Sequence, residues 1–287
     1  MINPWEHFGI KSVSPSQINK FNDEPAQWFA RSVRKVKEDA GPAAWRGDAV
    51  EAGLHAFLLG KPNASEVAER TFEMRSQEWS QNNGGEIHPD YDDEYQKTGV
   101  GLTRAIAAAD AEGMGIPAAY QITLEGYLPG YDRVKFWMKP DFAYEGFTLD
   151  LKTSNRLPSM PASGAPEPKP EHALQFACYA AVRGDKEARA LYVSTADKPK
   201  LPHIMVKMDE FQVEKYVAHA VSTLQRMEET MKAALALSEY EATTPDAALA
   251  RLCRPNLLAH GGGTYALWKE DYTRAAAEAV PEWGLFE

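Results

Sequence analysis

K-P-D-F-A-Y-E-G-F-T-L-D-L-K, residues 139–152, holds two short extended runs joined at Glu145-Gly146. A hairpin turn at that pair lays Asp141, near the start of one run, beside Asp150, near the end of the other. Strand side chains alternate with a period of two, so Asp150 and Lys152 share one face.

Two carboxylates brought together at ~4 Å repel by about 4 kcal/mol at an effective dielectric of ~20. A cation must offset that cost, and hard oxygen ligands favour Mg²⁺ or Mn²⁺, which leave coordination positions for water and phosphate. Lys152 adds a mobile positive donor beside them. The set suits in-line attack of an activated water on a phosphodiester. An acidic-x-Lys pattern is also common at ordinary strand ends, so its weight depends on the surrounding elements.

Upstream, Ala119 to Leu128 alternates Tyr120, Ile122 and Leu124 with Gln121, Thr123 and Glu125, the signature of a half-buried strand. Pro129-Gly130 turns the chain, and a second strand is expected from about Arg133 into Asp141, with a third from Phe147 to Thr153. Before the strands come helices. Ser14-Pro15-Ser16-Gln17 starts one with a capping box, and Pro25 interrupts it before a second run with Trp28, Phe29 and Val33. A further helix runs from Trp45 to Leu59, with Val50, Leu54, Phe57 and Leu58 in one apolar stripe and Glu51 and His55 flanking it four residues apart. Helices are expected over residues 66–80 and 96–112, with the acidic stretch Asp90 to Glu94 as a loop between them.

Downstream, Leu157 to Pro170 is too rich in Pro, Ser, Gly and Ala for regular structure and is read as a loop over the site. A helix follows from Glu171 to Val182, then strands at 190–195 and 204–207 and helices at 210–237, 245–253 and 265–280. The expected class is α/β, a mixed sheet in the order α-β-β-β-α-β with helices on both faces and extra N- and C-terminal helices.

The 287 residues, 44% of them hydrophobic, can bury a full core. The chain is read as one domain over 1–287, with a core at about 43–210, an N-terminal helical entry at 12–40 and a C-terminal helical extension at 211–287. No membrane segment or signal peptide is read, which places the protein in the cytoplasm. Cys178 and Cys253 are too few for a disulfide framework and are read as buried thiols. A net charge of −10 requires a nucleic-acid binder to concentrate its positive charge locally. Residues 11–46 do so, with seven bases against four acids, whereas residues 81–130 set eight acids against Lys97 and Arg104. A solvated helix face explains the basic stretch equally well. Trp5, Trp28, Trp137 and Trp268 show no spacing that marks a stacking platform.

With these motifs on these elements, roughly residues 12–210 resemble the core of the PD-(D/E)XK nuclease superfamily, in its RecB-type and phage exonuclease branch. The G-x-x-x-E motif matches Gly47 to Glu51, the second-motif aspartate Asp141, the third motif Asp150-Leu151-Lys152, and Q-x-x-x-Y matches Gln175 and Tyr179. Ser14-Pro15-Ser16 followed by Phe21 looks like the family's N-terminal entry. One departure matters: Glu24, not cysteine, precedes Pro25, so the iron-sulfur cluster of many RecB-type members is not expected.

The resemblance implies a metal-dependent DNA nuclease, most plainly an exonuclease of phage recombination or repair. Glu51, Asp141 and Asp150 would hold one or two Mg²⁺ or Mn²⁺ ions, with His55 and the Leu151 backbone as further candidate ligands. Lys152 would support the nucleophile, and Gln175, Tyr179, Thr153 and Ser154 the substrate strand. His172, one turn before Gln175, is a weaker candidate. Linear single- or double-stranded DNA is the implied partner, with a homo-oligomer or a recombination protein as further partners. A structure-specific or restriction-like endonuclease and a non-catalytic DNA-binding or assembly subunit stay open as alternatives.

Overall fold

In a computed structural model, described over residues 3–37, 39–160 and 164–253, the chain runs α1 (Pro4–His7), β1 (Ser12–Val13), α2 (Pro15–Asp23), α3 (Pro25–Ser32), α4 (Pro42–Leu58), α5 (Ala64–Asn82), α6 (Tyr91–Ala111), β2 (Ala119–Tyr120), β3 (Leu124–Leu128), β4 (Tyr131–Met138), β5 (Phe142–Tyr144), β6 (Phe147–Ser154), α7 (Pro170–Arg183), β7 (Glu187–Ser194), β8 (His203–Met208), α8 (Glu210–Glu241) and α9 (Pro245–Leu252). The helix expected over 265–280, with Trp268, lies outside the described residues, as does the middle of the loop expected over 157–170. Two compact units form. One comprises residues 1–38, 125–138 and 215–287, the other residues 39–124 and 139–214.

The second unit is built on a five-stranded mixed sheet in the order β2-β5-β6-β7-β8. β5 and β6 form the antiparallel hairpin, with Gly146 at φ +81°, a left-handed turn position that a glycine takes without steric cost. β6 then pairs in parallel with β7 along eight residues, the crossover being α7, which ends at Gly184 in the left-handed conformation. Leu149 and Leu151 of β6 pack with Val50, Leu54 and Leu58 of α4, Ala105, Ala108 and Ala109 of α6, and Leu191 and Val193 of β7. The apolar stripe of α4 is thus the one its spacing indicates, and Phe57 packs at its margin. The opposite face of the sheet takes α7, whose Phe176 ring lies 5.8 Å from the Lys152 Nζ.

α4, α5 and α6 pack through a second core of Trp45, Ala49, Ala68, Phe72 and Leu102. Gly53 permits their close approach: a Cβ there would lie 2.8 Å from Leu102 Cδ1, 3.0 Å from the Ala64 carbonyl oxygen and 3.0 Å from Ala68 Cβ. Gly53→Ala is therefore expected to destabilise the protein by about 1–3 kcal/mol in urea melts, although alanine is the better helix former. An unchanged or raised midpoint would mean that the helices yield without loss.

In the other unit, β1, β4 and β3 form a separate three-stranded sheet, with β1 parallel to β4. The capping box at α2 is present, the Ser14 N–H donating to Gln17 Oε1 at 2.7 Å. Trp5 Nε1 donates to Tyr131 Oη (3.1 Å), and that hydroxyl donates to Glu228 Oε2 (2.6 Å), which satisfies three buried polar groups at once.

Three sequence expectations are corrected. The strand read over 119–128 is broken: β2 joins the five-stranded sheet and β3 the three-stranded one, because Gln121 adopts φ +48° and redirects the chain. The strand read from Arg133 into Asp141 is split in the same way, between β4 and β5, at Lys139-Pro140, where proline offers no N–H to a ladder. The acidic stretch read as a loop over 90–94 is instead the first turn of α6, where Asp92, Asp93 and Glu94 face the positive end of the helix dipole.

Candidate active site

β6 carries two of the candidate residues, and its alternation fixes where they point. Leu149 and Leu151 go to the α4 and α6 side, so Asp150 and Lys152 go to the α7 side. Asp150 is 1% exposed, and its Oδ2 forms an ion pair with the Lys152 ammonium. The register Phe142↔Leu149 carries Asp141 alongside Asp150. Because β5 begins one residue later, the Leu151 N–H meets the Asp141 side chain, donating to Oδ2 at 2.7 Å. A carboxylate thus continues the ladder past the end of the strand.

Glu51 enters from α4, one turn after Asp48, and is 7% exposed. Its Oε1 accepts from Gln121 Nε2 at 2.8 Å. Gln121 is anchored twice more: its backbone N–H donates to the Asp141 carbonyl (2.8 Å), and its Oε1 accepts from Lys139 Nζ (2.7 Å). Burial pushes the Glu51 carboxyl up to about 7, with the charges of Asp150 and Asp48 adding to the rise, while the Gln121 and Asp141 hydrogen bonds oppose it. Burial likewise raises Asp141 well above the usual carboxylate range, with Asp150 and Glu51 adding to it, against the opposing pull of Lys152 and the Leu151 N–H. For Lys152, burial favours the neutral amine but the charges of Asp150 and Asp141 outweigh it, so the ammonium is held above its ordinary range. Three acids and one lysine therefore share one electrostatic neighbourhood.

The other sequence candidates divide. Gln175 Nε2 donates to Tyr179 Oη on α7, and the buried Tyr179 hydroxyl is raised first by desolvation and then by the charge of Asp150, with Asp141 adding to it. Thr153 Oγ1 accepts from Arg46 Nε (3.2 Å), and Arg46 is itself paired with Glu94. The Ser154 hydroxyl bonds the Arg156 backbone (2.9 Å to its carbonyl), closing a local turn. His55 stacks on Tyr120, with ring centroids 3.8 Å apart, and burial lowers its pKa. His172 Nδ1 lies 2.9 Å from Tyr192 Oη. Cys178 and Cys253 are both free, buried thiols. The residue that the sequence reading passed over is Gln121. Its only signal, the break in the strand, is hidden because the apolar alternation runs through it.

A sequence-family model for the PD-(D/E)XK nuclease superfamily matches residues 12–254. The chain belongs to the PD-(D/E)XK nuclease superfamily. No curated protein matches it in sequence. Among solved structures, it is similar to a "Putative exonuclease" from Eubacterium rectale, at 13% identity over 75% of this chain and 79% of that one, with a TM-score of 0.53, a likeness of fold. It also aligns with LHK-Exo, determined in complex with dAMP, at 13% identity over 66% of this chain and 95% of that one, but with a TM-score of 0.29.

PD-(D/E)XK nucleases generally use divalent metal ions. Among the described residues no three His, Cys, Asp or Glu side chains converge into a ready-made cage. Mg²⁺ does not need one, since it is usually bound by one or two carboxylates with waters and substrate phosphates in the remaining positions. The donor set fits such an ion. Asp150 Oδ1 is buried with no hydrogen-bond donor among the described residues, and the neighbouring carboxylates stay costly to ionise until a cation joins them.

Proposed function

We propose that this superfamily member is a metal-dependent deoxyribonuclease, and an exonuclease. The single observation that carries the reading is the Asp141–Asp150–Lys152 cluster on the hairpin: a buried carboxylate with a donorless oxygen, a second carboxylate across the ladder, and an ammonium ion-paired with the first. Such a cluster is unfavourable as a purely structural element and useful around a phosphodiester.

Glu51, Asp141 and Asp150 would hold Mg²⁺ or Mn²⁺, which supplies Lewis acidity toward the phosphate and an acidified water. Lys152, which stays protonated, acts as an electrostatic donor: it orients the attacking water and stabilises the charge that builds on the phosphoryl oxygens. Gln175 and Tyr179 steady the strand from α7. Thr153 and Ser154, already engaged by Arg46 and by the local turn, fix the end of β6 on which a backbone phosphate would rest. With contacts of these kinds, recognition is of phosphate and only weakly of sequence.

The exonuclease reading follows the resemblance of the G-x-x-x-E and Q-x-x-x-Y motifs to the phage and RecB-type branch. Recombination or repair, in a bacterial or phage-infected cytoplasm, is the setting it implies. Among the described residues no helix is long and apolar enough to cross a membrane. End-labelled linear duplex, linear single strands and closed circles, each with Mg²⁺, Mn²⁺ or chelator, test the assignment. Loss of linear DNA alone, stopped by chelator, is the expected result. Cutting of circles would make the protein an endonuclease, and binding without cutting would make it a DNA-binding subunit.

A further inference from the structure

We infer that Gln121 is a positioning residue for Glu51, held in its working orientation by Lys139, an inference that rests on the metal-dependent reading of this site. The amide is clamped at both ends. A lysine ammonium has only donors, so the atom 2.7 Å from Lys139 Nζ must be the Gln121 carbonyl oxygen. The amide NH₂ then faces the other way, toward Glu51 Oε1 at 2.8 Å. Lys139 thus settles which end of the amide meets the acid, and polarises it so that the donor end is strengthened. The carboxylate receives a fixed donor on one oxygen, and the Lys139 ammonium acts on it only through the amide.

The backbone is arranged for the same purpose. Gln121 is one of three non-glycine residues with positive φ among those described, and its N–H is bonded to the carbonyl of Asp141, a second candidate ligand. Glutamine has no special tolerance for that conformation, so its side chain is the reason for its presence there. One residue therefore spans the backbone of Asp141 and the carboxylate of Glu51. Partners that orient a ligating carboxylate in this way typically change metal affinity by about 10–100-fold when lost.

Three substitutions separate this role from packing. Gln121→Glu keeps the volume and the contact to Lys139 but removes the donor to Glu51. Gln121→Leu removes both polar contacts. Gln121→Gly relieves the positive φ and deletes the side chain. The readouts are Mn²⁺ binding followed by the paramagnetic resonance signal of the free ion, the Mn²⁺ concentration giving half-maximal cleavage, KM for DNA, and the thermal midpoint without metal.

The expected result is a rise of about 10–100-fold in the Mn²⁺ requirement in all three variants, with KM for DNA unchanged. Gln121→Gly should melt at or above the wild-type temperature, and Lys139→Met should give a smaller shift of the same sign. A Gln121→Glu protein with wild-type Mn²⁺ binding and turnover would overturn the inference. So would a loss in all three variants that tracks a lowered melting temperature. If the wild-type protein itself neither binds Mn²⁺ nor cleaves DNA, the proposed function fails first, and Gln121 falls with it as a positioning residue for metal.

Discussion

Lys152→Met is expected to lower turnover by about 10²–10³-fold or more and to destabilise the metal-free protein by about 3–5 kcal/mol at pH 8. The catalytic loss follows from removing the Lys152 ammonium from beside the proposed phosphate position. The loss of stability has a different source. Asp150 is 1% exposed, its Oδ2 is paired with Lys152, and its Oδ1 has no donor among the described residues, so the substitution leaves a buried charge uncompensated. The Lys152 pKa is raised on folding, so its contribution is complete below the ordinary lysine value of 10.5 and fades only as pH rises past it. At pH 8 the full effect should appear. Adding Asp150→Asn to Lys152→Met removes the orphaned charge and should restore most of the stability while leaving the protein inactive. Urea melts of the four proteins measure this coupling, and additive free energies would show that the pair is not the unit described.

Glu51→Gln should act in the opposite direction, stabilising the metal-free protein by roughly 3 kcal/mol at pH 8. The carboxyl is raised from 4.5 to about 7, mainly by burial and then by Asp150 and Asp48, and each unit corresponds to about 1.4 kcal/mol. A folded-state pKa above the unfolded one means that Glu51 imposes no cost below pH 4.5. The cost grows through the window from 4.5 to about 7 and is complete above it. Glutamine mimics the protonated form, so the gain should be small at pH 5 and full at pH 8. Saturating Mn²⁺ should reverse the order, because the ion stabilises the wild-type site and the variant has lost a ligand. Equal gains at both pH values would point to improved packing and away from a relieved charge.

The α/β class and the superfamily were legible in local patterns. Glu145-Gly146 is the turn that the hairpin needs, Asp150 and Lys152 share a strand face by simple alternation, and Val50, Leu54 and Leu58 mark the buried stripe of α4. These features depend on neighbours close in sequence, where residue spacing translates directly into geometry. The division of the strands between two sheets was not legible, because Tyr120, Ile122 and Leu124 alternate as if no break lay at Gln121. A positive φ at a glutamine is set by its partners, Glu51, Lys139 and Asp141, which lie far away along the chain. The start of α6 is hidden for a related reason. Asp92, Asp93 and Glu94 look like a solvated loop until the helix dipole behind them is known. The charges pressing on Glu51 and Asp141 also depend on burial, which no local pattern states.

Whether the hairpin acids carry the chemistry is decided by cleavage of end-labelled linear duplex DNA by wild-type protein and by Asp150→Asn, each in Mg²⁺ or Mn²⁺ and in chelator. The expected result is metal-dependent degradation by the wild type, none in chelator, and none by a folded Asp150→Asn protein that still binds the DNA. Cleavage by Asp150→Asn at the wild-type rate would contradict it and move the chemistry away from the hairpin.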